Sequence, residues 1–567
     1  MKQGSAGAAG QVGFWRLICP YWGSERRWLA LTLAGAVLAI AFTQVSVALW
    51  LNRLAGQLTD ALLLRDWQAL KPVFLETLLA AMLSVAMSNG GRLLRQWLAF
   101  DWRSWLTASY LDRWTRGKVF YEIERAGTLD NADQRIAEDI DEFTTKTLDL
   151  ALNCIVASVN IVTFSIVLWG LSGVLQVPLG GITVAIPGYM LIAAVLIVLV
   201  ELAITHWLGW PLIGLNMRKK QVEADFRHLG MQLREYAEQI AFYHGQRVER
   251  ERLGRRWRAV HGNWRALQWR TAKFLFGRDL FAETNVVIPT LLAMPRYLSG
   301  AISLGGVTRS AGAYNSVRSS LMFFVTAYEI FTQWRAAGNR LGALAAAMAR
   351  AEHSGEQARI VHAAAGGPVL STGTLQLWAP DGGLLAQLPP LRIERGQRWL
   401  LRGRSGAGKS SVLRALAGLW PFGQGRIGLP DGASLFVPQR SYVPEGSLKA
   451  ALCYPGRAED FDDARCLEAL RACGLPQLGG CLHQRARWQQ RLSGGEQQRL
   501  AFVRVLLQRP DFVFLDEVTS ALDEDAEREL YALLFERLPD SAIVSVAHRA
   551  SVAALHDDSV EVRPAPR

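Results

Sequence analysis

Only six cysteines occur in 567 residues (Cys19, Cys154, Cys453, Cys466, Cys473 and Cys481), and none stands in a C-x-x-C pair or beside histidines at a matching spacing. That argues against a structural zinc site and against a disulfide framework. No stretch interleaves basic residues with aromatics as a nucleic-acid-binding motif does, so the net charge of +12 needs another origin. A secretory signal is not expected either, because the first apolar run is too long for an h-region and lacks a small-residue cleavage site. What the chain has in quantity is apolar surface. Half of its residues are hydrophobic and 20 are tryptophan, which is unusual for a wholly soluble chain. The arginines cluster between long apolar runs, as the positive-inside rule requires of a membrane protein, and the length calls for at least two domains.

Residues 1–27 form the approach to the membrane. Their aromatic segment 13–23, with Arg16 inside it, suits a short amphipathic helix lying in the headgroup layer. Residues 28–52 carry no charge and exceed the ~20 residues that a spanning helix needs; Glu25, Arg26 and Arg27 flank them. Further spans are expected at 73–91 (with Glu76), 150–171, 182–205 (with Pro187), 280–299 (with Glu283 and Pro289) and 311–333 (with Arg318 and Glu329). A charge at mid-bilayer costs roughly 2.5–3.5 kcal/mol, so the last two spans should turn their charges away from lipid. They would do so by lining a polar cavity or by pairing between helices.

Residues 92–146 are rich in arginine, and the segment holding Arg218, Lys219, Lys220, Arg247, Arg255, Arg256 and Arg258 is richer still. The connection 172–181 has no charge. Six spans with both termini in the cytoplasm follow, the two basic loops reading as helical extensions of the spans. The transmembrane domain is thus assigned to 28–340, a linker to 341–369 and a second domain to 370–567.

The second domain carries the chemistry. Gly403-Arg404-Ser405-Gly406-Ala407-Gly408-Lys409-Ser410-Ser411 reads G-x-x-x-x-G-K-S, a loop whose backbone N–H groups can curl around phosphates. A strand at 397–402 and a helix at 411–418 would flank it and point the helix dipole at the phosphates. Lys409 would reach the β- and γ-phosphates, and Ser410 would ligate Mg²⁺. Leu492-Ser493-Gly494-Gly495-Glu496-Gln497-Gln498-Arg499 is a second glycine-bearing loop opening a helix. Phe512-Val513-Phe514-Leu515-Asp516-Glu517 is an apolar strand ending in two acids, Asp516 placed for Mg²⁺ and Glu517 to deprotonate a water.

These three motifs, in this order, resemble the ABC-type ATPases. The resemblance implies that Ser493, Gly494, Gly495 and Glu496 bind the γ-phosphate of ATP held by an opposite subunit. It also implies that Gln439, in Val437-Pro438-Gln439, touches Mg²⁺ or the attacking water, and that His548 contacts the γ-phosphate. Trp378 stands near the position of the family's adenine-stacking aromatic, although a packed strand residue reads as well. Thr519-Ser520-Ala521-Leu522-Asp523 resembles the loop where two such domains meet, while Val518 and Ala547 depart from the alanine and glycine usual in relatives. Four cysteines lie in this ATP-handling domain, a cytosolic setting in which they should stay reduced.

A narrower resemblance covers nearly the whole chain. Asp101-Trp102-Arg103-Ser104-Trp105-Leu106-Thr107, Asp130-Asn131-Ala132-Asp133-Gln134-Arg135-Ile136-Ala137-Glu138-Asp139, Ile186-Pro187-Gly188-Tyr189-Met190, Glu223-Ala224-Asp225-Phe226-Arg227 and Glu238-Gln239-Ile240-Ala241-Phe242-Tyr243-His244-Gly245 are similar to the BacA-like bacterial transporters. That group has been associated with uptake of cobalamin, bleomycin and antimicrobial peptides, and is related to the peroxisomal fatty acyl transporters of ABC subfamily D. The implied fold is a six-helix, exporter-type membrane α-helical bundle followed by an α/β P-loop ABC nucleotide-binding domain, with residues 238–249 as a coupling element. The implied protein is a homodimer in a bacterial inner membrane that uses ATP and Mg²⁺ to import bulky hydrophilic solutes. A fatty acyl or lipid transporter, a drug exporter, and a non-transporting regulatory ATPase are the other readings.

Overall fold

The computed structural model describes residues 14–127, 129–179, 182–353, 360–364, 367–547 and 549–564. It divides into two units, Met1–Arg116 with Ile123–Met348, and Gly117–Glu122 with Ala349–Arg567.

In the first unit the amphipathic helix α1 (Trp15–Trp22) leads into α2 (Arg27–Leu63) and α3 (Trp67–Thr115). After the short α4 (Val119–Ala126), whose residues up to Glu122 belong to the second unit, come the long α5 (Ala132–Ser172) and a hairpin of β1 (Val174–Leu179) and β2 (Ile182–Pro187). The helices α6 (Tyr189–Glu235), α7 (Ala237–Phe242), α8 (Gln246–Leu298) and α9 (Leu304–His353) complete it. Among the described residues four helices, α2, α3, α5 and α6, are long and apolar enough to cross a membrane. The other two long helices, α8 and α9, have 53 and 50 residues and are broken up by charge. At 1.5 Å per residue such helices reach about 75 Å, more than twice the ~30 Å hydrocarbon core.

The fourth span differs from the expectation. Residues Ile182–Pro187 are not helical but pair antiparallel with Val174–Leu179, so the helix starts at Tyr189. The cause is local. Ile182, Thr183, Val184 and Ile186 are β-branched and favour a strand, Pro187 ends the ladder, and Gly188 (φ +64°) turns the chain into α6. Hydropathy alone cannot separate a short apolar strand from the first turns of a buried helix.

Of the two ways to keep span charges from lipid, Arg318 uses the pair between helices. Its Nε and Nη2 donate to Glu201 of α6 at 2.9 and 2.6 Å, and Glu201 is buried. Beside them the Tyr314 hydroxyl donates to Asn285 of α8 at 3.0 Å, so polar groups tie α6, α8 and α9 together. Glu76, Glu283 and Glu329 remain exposed.

Where α2 ends and α9 begins, the two helices pack backbone to backbone. Asp60 accepts from the Gly305 amide at 2.7 Å and from Ser303 Oγ at 2.8 Å, placing a carboxylate at the positive end of α9. A Cβ at Gly305 would come within 2.2 Å of the Gly56 carbonyl. Asn52 donates to the Arg309 carbonyl at 3.3 Å on the next turn. Small residues at such a crossing allow the close approach.

The second unit is built on two large sheets, beside a short pairing of Gly446–Ser447 with Arg485–Ala486. Its elements are β3 (Ile360–Ala364), β4 (Leu370–Thr372), β5 (Leu375–Trp378), β6 (Leu384–Leu388), β7 (Leu391–Ile393), β8 (Arg398–Arg402) and α10 (Lys409–Leu416). Then follow β9 (Gly423–Leu429), β10 (Ser434–Val437), α11 (Leu448–Cys453), α12 (Asp463–Ala472), α13 (Gly494–Gln508) and β11 (Phe512–Asp516). The last are α14 (Glu524–Arg537), β12 (Ala542–Val546), β13 (Asp558–Glu561) and β14 (Arg563–Pro564). A parallel sheet has the order β10-β11-β12-β8-β13, and a largely antiparallel one the order β14-β6-β5-β9-β4-β7, with β3 on β9. One apolar core, including Leu375, Ile427, Leu401 and Val544, draws on both sheets. A second core joins α11, α12 and α13 to the parallel sheet. Residues Gly117–Glu122 belong to this unit, where Lys118 Nζ donates to the Ala417 carbonyl.

Candidate functional site

In a parallel sheet the strands' carboxyl ends gather on one edge, where ligands bind in open α/β folds. Here β8 and β11 bring the phosphate loop and the two acids to that edge. The loop leaves β8 at Gly403 and enters α10 through Gly408, whose φ of +88° a β-carbon would strain. That carbon would also lie 2.7 Å from Ala386 Cβ. The next residue, Lys409, is buried and folds back over its own loop, its Nζ donating to the carbonyls of Gly403 (2.9 Å) and Arg404 (3.1 Å). The ammonium thus sits inside the concavity that phosphates would fill. Ala407 and Ser411 are buried beneath, whereas Arg404, Ser405 and Gly406 face solvent.

Ser410 Oγ donates to Asp516 Oδ1 at 3.0 Å. Burial raises the Asp516 pKa, an effect the Ser410 hydrogen bond opposes. A half-buried carboxylate whose charge is disfavoured would be relieved by a bound cation. The hydroxyl of Ser410 and the carboxylate of Asp516, held together, are oxygen donors of the kind that suits Mg²⁺, and the amide oxygen of Gln439 would add a third. When bound, the ion would supply positive charge to phosphate oxygens.

Gln439 Nε2 donates to Glu517 Oε2 at 3.1 Å, so the glutamine loop and the second acid meet. Glu517 has left the strand conformation for φ +48°, a left-handed state that costs a non-glycine residue about 1–2 kcal/mol. Its amide still bonds to the Val546 carbonyl at 3.1 Å, so the turn is fixed from the neighbouring strand.

The second glycine loop starts α13 with a capping box. Ser493 Oγ accepts from the Glu496 amide at 3.3 Å, and Glu496 Oε2 accepts from the Ser493 amide and hydroxyl, both at 2.9 Å. The Ser493 amide, then its hydroxyl, holds the Glu496 carboxyl below its usual pKa. Gly494 and Gly495 occupy the first helical positions, whose N–H groups have no partner within a helix. Such a helix start would suit an anion.

Trp378 ends β5, half-buried. Its amide donates to the Phe422 carbonyl (3.0 Å) and its carbonyl accepts the Trp420 indole (3.0 Å). His548 lies outside the described residues.

Sequence reasoning missed the scaffold around the 519–523 loop. Gln498, within the 492–499 stretch but given no role of its own there, donates to Ser520 Oγ at 3.0 Å and accepts from the Ala521 amide at 2.8 Å. Glu527 is buried, accepts from Thr519 Oγ1, and pairs with Arg549 at 3.1 Å. Each partner is distant in sequence, and no spacing announces it.

Residues 15–298 match the family described as ABC transporter transmembrane region 2, and residues 389–520 match the one described as ABC transporter. The chain belongs to the ABC transporters. This ABC transporter is 31% identical over 549 residues to the inner membrane ABC transporter ATP-binding protein YddA of Escherichia coli K12, covering 96% of each chain. It is 26% identical to the human lysosomal cobalamin transporter ABCD4, covering 95% of this chain and 92% of that one. A solved structure of a bacterial Atm1-family ABC exporter with ATP bound superposes with a TM-score of 0.69, covering 94% and 93% of the two chains at 17% identity. The fold is therefore the exporter-type helical bundle with an ABC ATPase domain. The protein is an ATP-hydrolysing transporter, and its membrane region and ATPase are fused in one chain.

Proposed function

We propose that two copies of this ABC transporter pair head to tail in a bacterial inner membrane, with both ATPase domains in the cytoplasm. Each copy would close the partner's phosphate loop with its own Ser493–Gly494–Gly495 turn. The supporting observation is that one chain contains one loop with a poised lysine and one capped helix start with open donors, while ATP needs both. In this reading Lys409 and the loop amides of Gly403–Ser411 hold the phosphates. Ser410, Asp516 and Gln439 hold Mg²⁺, and Trp378 stacks on adenine. Glu517 takes the proton from the attacking water, with His548 orienting the γ-phosphate. ATP binding joins the domains and hydrolysis parts them, and the spans alternate access between the two sides of the membrane.

The cargo proposed is a bulky hydrophilic solute such as cobalamin or a peptide, taken inward. This rests on the BacA-like segments in α3, α6 and the 238–249 stretch, on the relationship to ABCD4, and on polar groups set inside the spans. The test uses inside-out and right-side-out proteoliposomes with labelled cobalamin and ATP. Uptake in the proposed direction, lost in Glu517→Gln while nucleotide binding persists, supports the reading. Solute flux that survives this substitution, or full ATPase activity in a protein held monomeric, overturns it.

A further inference from the structure

A cavity of about 860 Å³ lies in the first unit among α1, α5 and α9. Its walls are almost wholly apolar, with Phe14, Trp15, Leu150, Phe324 and Phe331 among them, and Arg335 stands at one end. The polar wall atom of Thr147 is already engaged, because Trp334 Nε1 donates to it at 2.8 Å. Trp334 in turn is stacked between Phe14 (centroids 4.8 Å) and Phe143 (6.0 Å), which makes this end a rigid aromatic floor. The volume is in the range of sites that take a discrete small molecule.

Three features name the occupant. Along α9 the lining runs from Phe323 to Arg335, twelve residues or about 18 Å. That is close to one leaflet, about half of the ~30 Å hydrocarbon core. The apolar wall gives way to tryptophan and then arginine, the order in which side chains meet a bilayer's interface and headgroups. Finally, Arg335 is exposed, and it has no hydrogen-bond or ion-pair partner among the described residues. A cation left open at the mouth of an apolar slot complements a phosphate attached to an alkyl chain.

We propose that this cavity binds one anionic phospholipid of the adjoining leaflet, with an acyl chain in the slot and the phosphate on Arg335. The site is separate from the ATP machinery and does not depend on which solute is carried.

The full-length protein in mixed micelles of phosphatidylcholine and phosphatidylglycerol is examined by native mass spectrometry. Wild type is expected to retain phosphatidylglycerol in preference. Arg335→Gln should weaken that retention about fivefold, the effect of one basic residue at an anionic surface. Ala327→Trp, which fills the slot, should abolish it. Should a variant fail to fold, alkylation of Cys154 in the wild-type protein reads the same site, since Cys154 lines the cavity and is exposed. Added phosphatidylglycerol should slow modification of Cys154 but not of exposed Cys19, which does not line it. Equal retention by the Ala327→Trp variant, or equal protection by phosphatidylcholine, overturns the proposal. So does a Cys154 that cross-links to the second copy in a dimer retaining no lipid.

Discussion

Replacing Arg318 by methionine leaves Glu201 buried and without its two hydrogen bonds of 2.6 and 2.9 Å. Removing one partner of a buried pair costs about 3–5 kcal/mol, because the remaining charge loses its compensation. Replacing both partners by apolar residues of similar volume is often neutral or stabilising, since neither charge then has to be desolvated. The cycle Arg318→Met, Glu201→Met and the double variant should therefore be strongly non-additive. Each single variant is expected to lose about 3–5 kcal/mol and the double close to nothing, a shortfall of roughly 6–10 kcal/mol against the sum. Unfolding by SDS in mixed micelles, followed by tryptophan fluorescence, measures it. A single variant absent from the membrane beside an abundant double variant would show the same coupling. Singles within about 1 kcal/mol of wild type, or costs that simply add, would refute the assignment of this pair as mutually compensating.

Other outcomes follow from the ATPase domain. Gly408→Val should abolish nucleotide binding while the membrane unit still folds, because a side chain at φ +88° strains the loop and collides with Ala386; equilibrium binding of a fluorescent ATP analogue checks this. The Glu496 pKa is depressed, so its stabilisation of the α13 start is present above the unfolded carboxylate value and lost as pH falls through the folded one. The stability gap between wild type and Glu496→Ala, measured by urea unfolding, should accordingly close in acid and stay constant from neutral pH upward. Burial pushes the thiols of Cys453 and Cys473 up to about 12 and raises Cys466, while Cys19 and Cys154 are exposed. Maleimide at mildly alkaline pH should modify Cys19 before the three buried thiols, as peptide mapping would reveal.

Where a motif dictates local backbone, the sequence was a good guide. The strand expected at 397–402 is Arg398–Arg402, and the strand expected at 512–517 is Phe512–Asp516. The helix expected at 411–418 starts two residues earlier, at Lys409, because Gly408 supplies the turn. Legibility failed where one composition serves two structures, as in Ile182–Pro187, or where the deciding partner is remote. Glu201 lies within an apolar run and acquires meaning only when α9 brings Arg318 beside it. The same holds for Glu527 and Arg549, which hold the 519–523 loop from 22 residues apart. The weakly apolar α8 and α9 form full-length helices because their charges find other helices or exposed faces, information that hydropathy averages discard.

The seam between α2 and α9 has a kinetic implication. With the Gly56 carbonyl where a Gly305 side chain would go, and Asp60 fastened to the first turn of α9, there is no slack for these two helices to slide. They must travel as one rigid lever. Any cycle that opens and closes a passage through the membrane therefore has to bend or separate the bundle elsewhere, and a bulky residue introduced at position 305 should jam the stroke even if every catalytic group is intact.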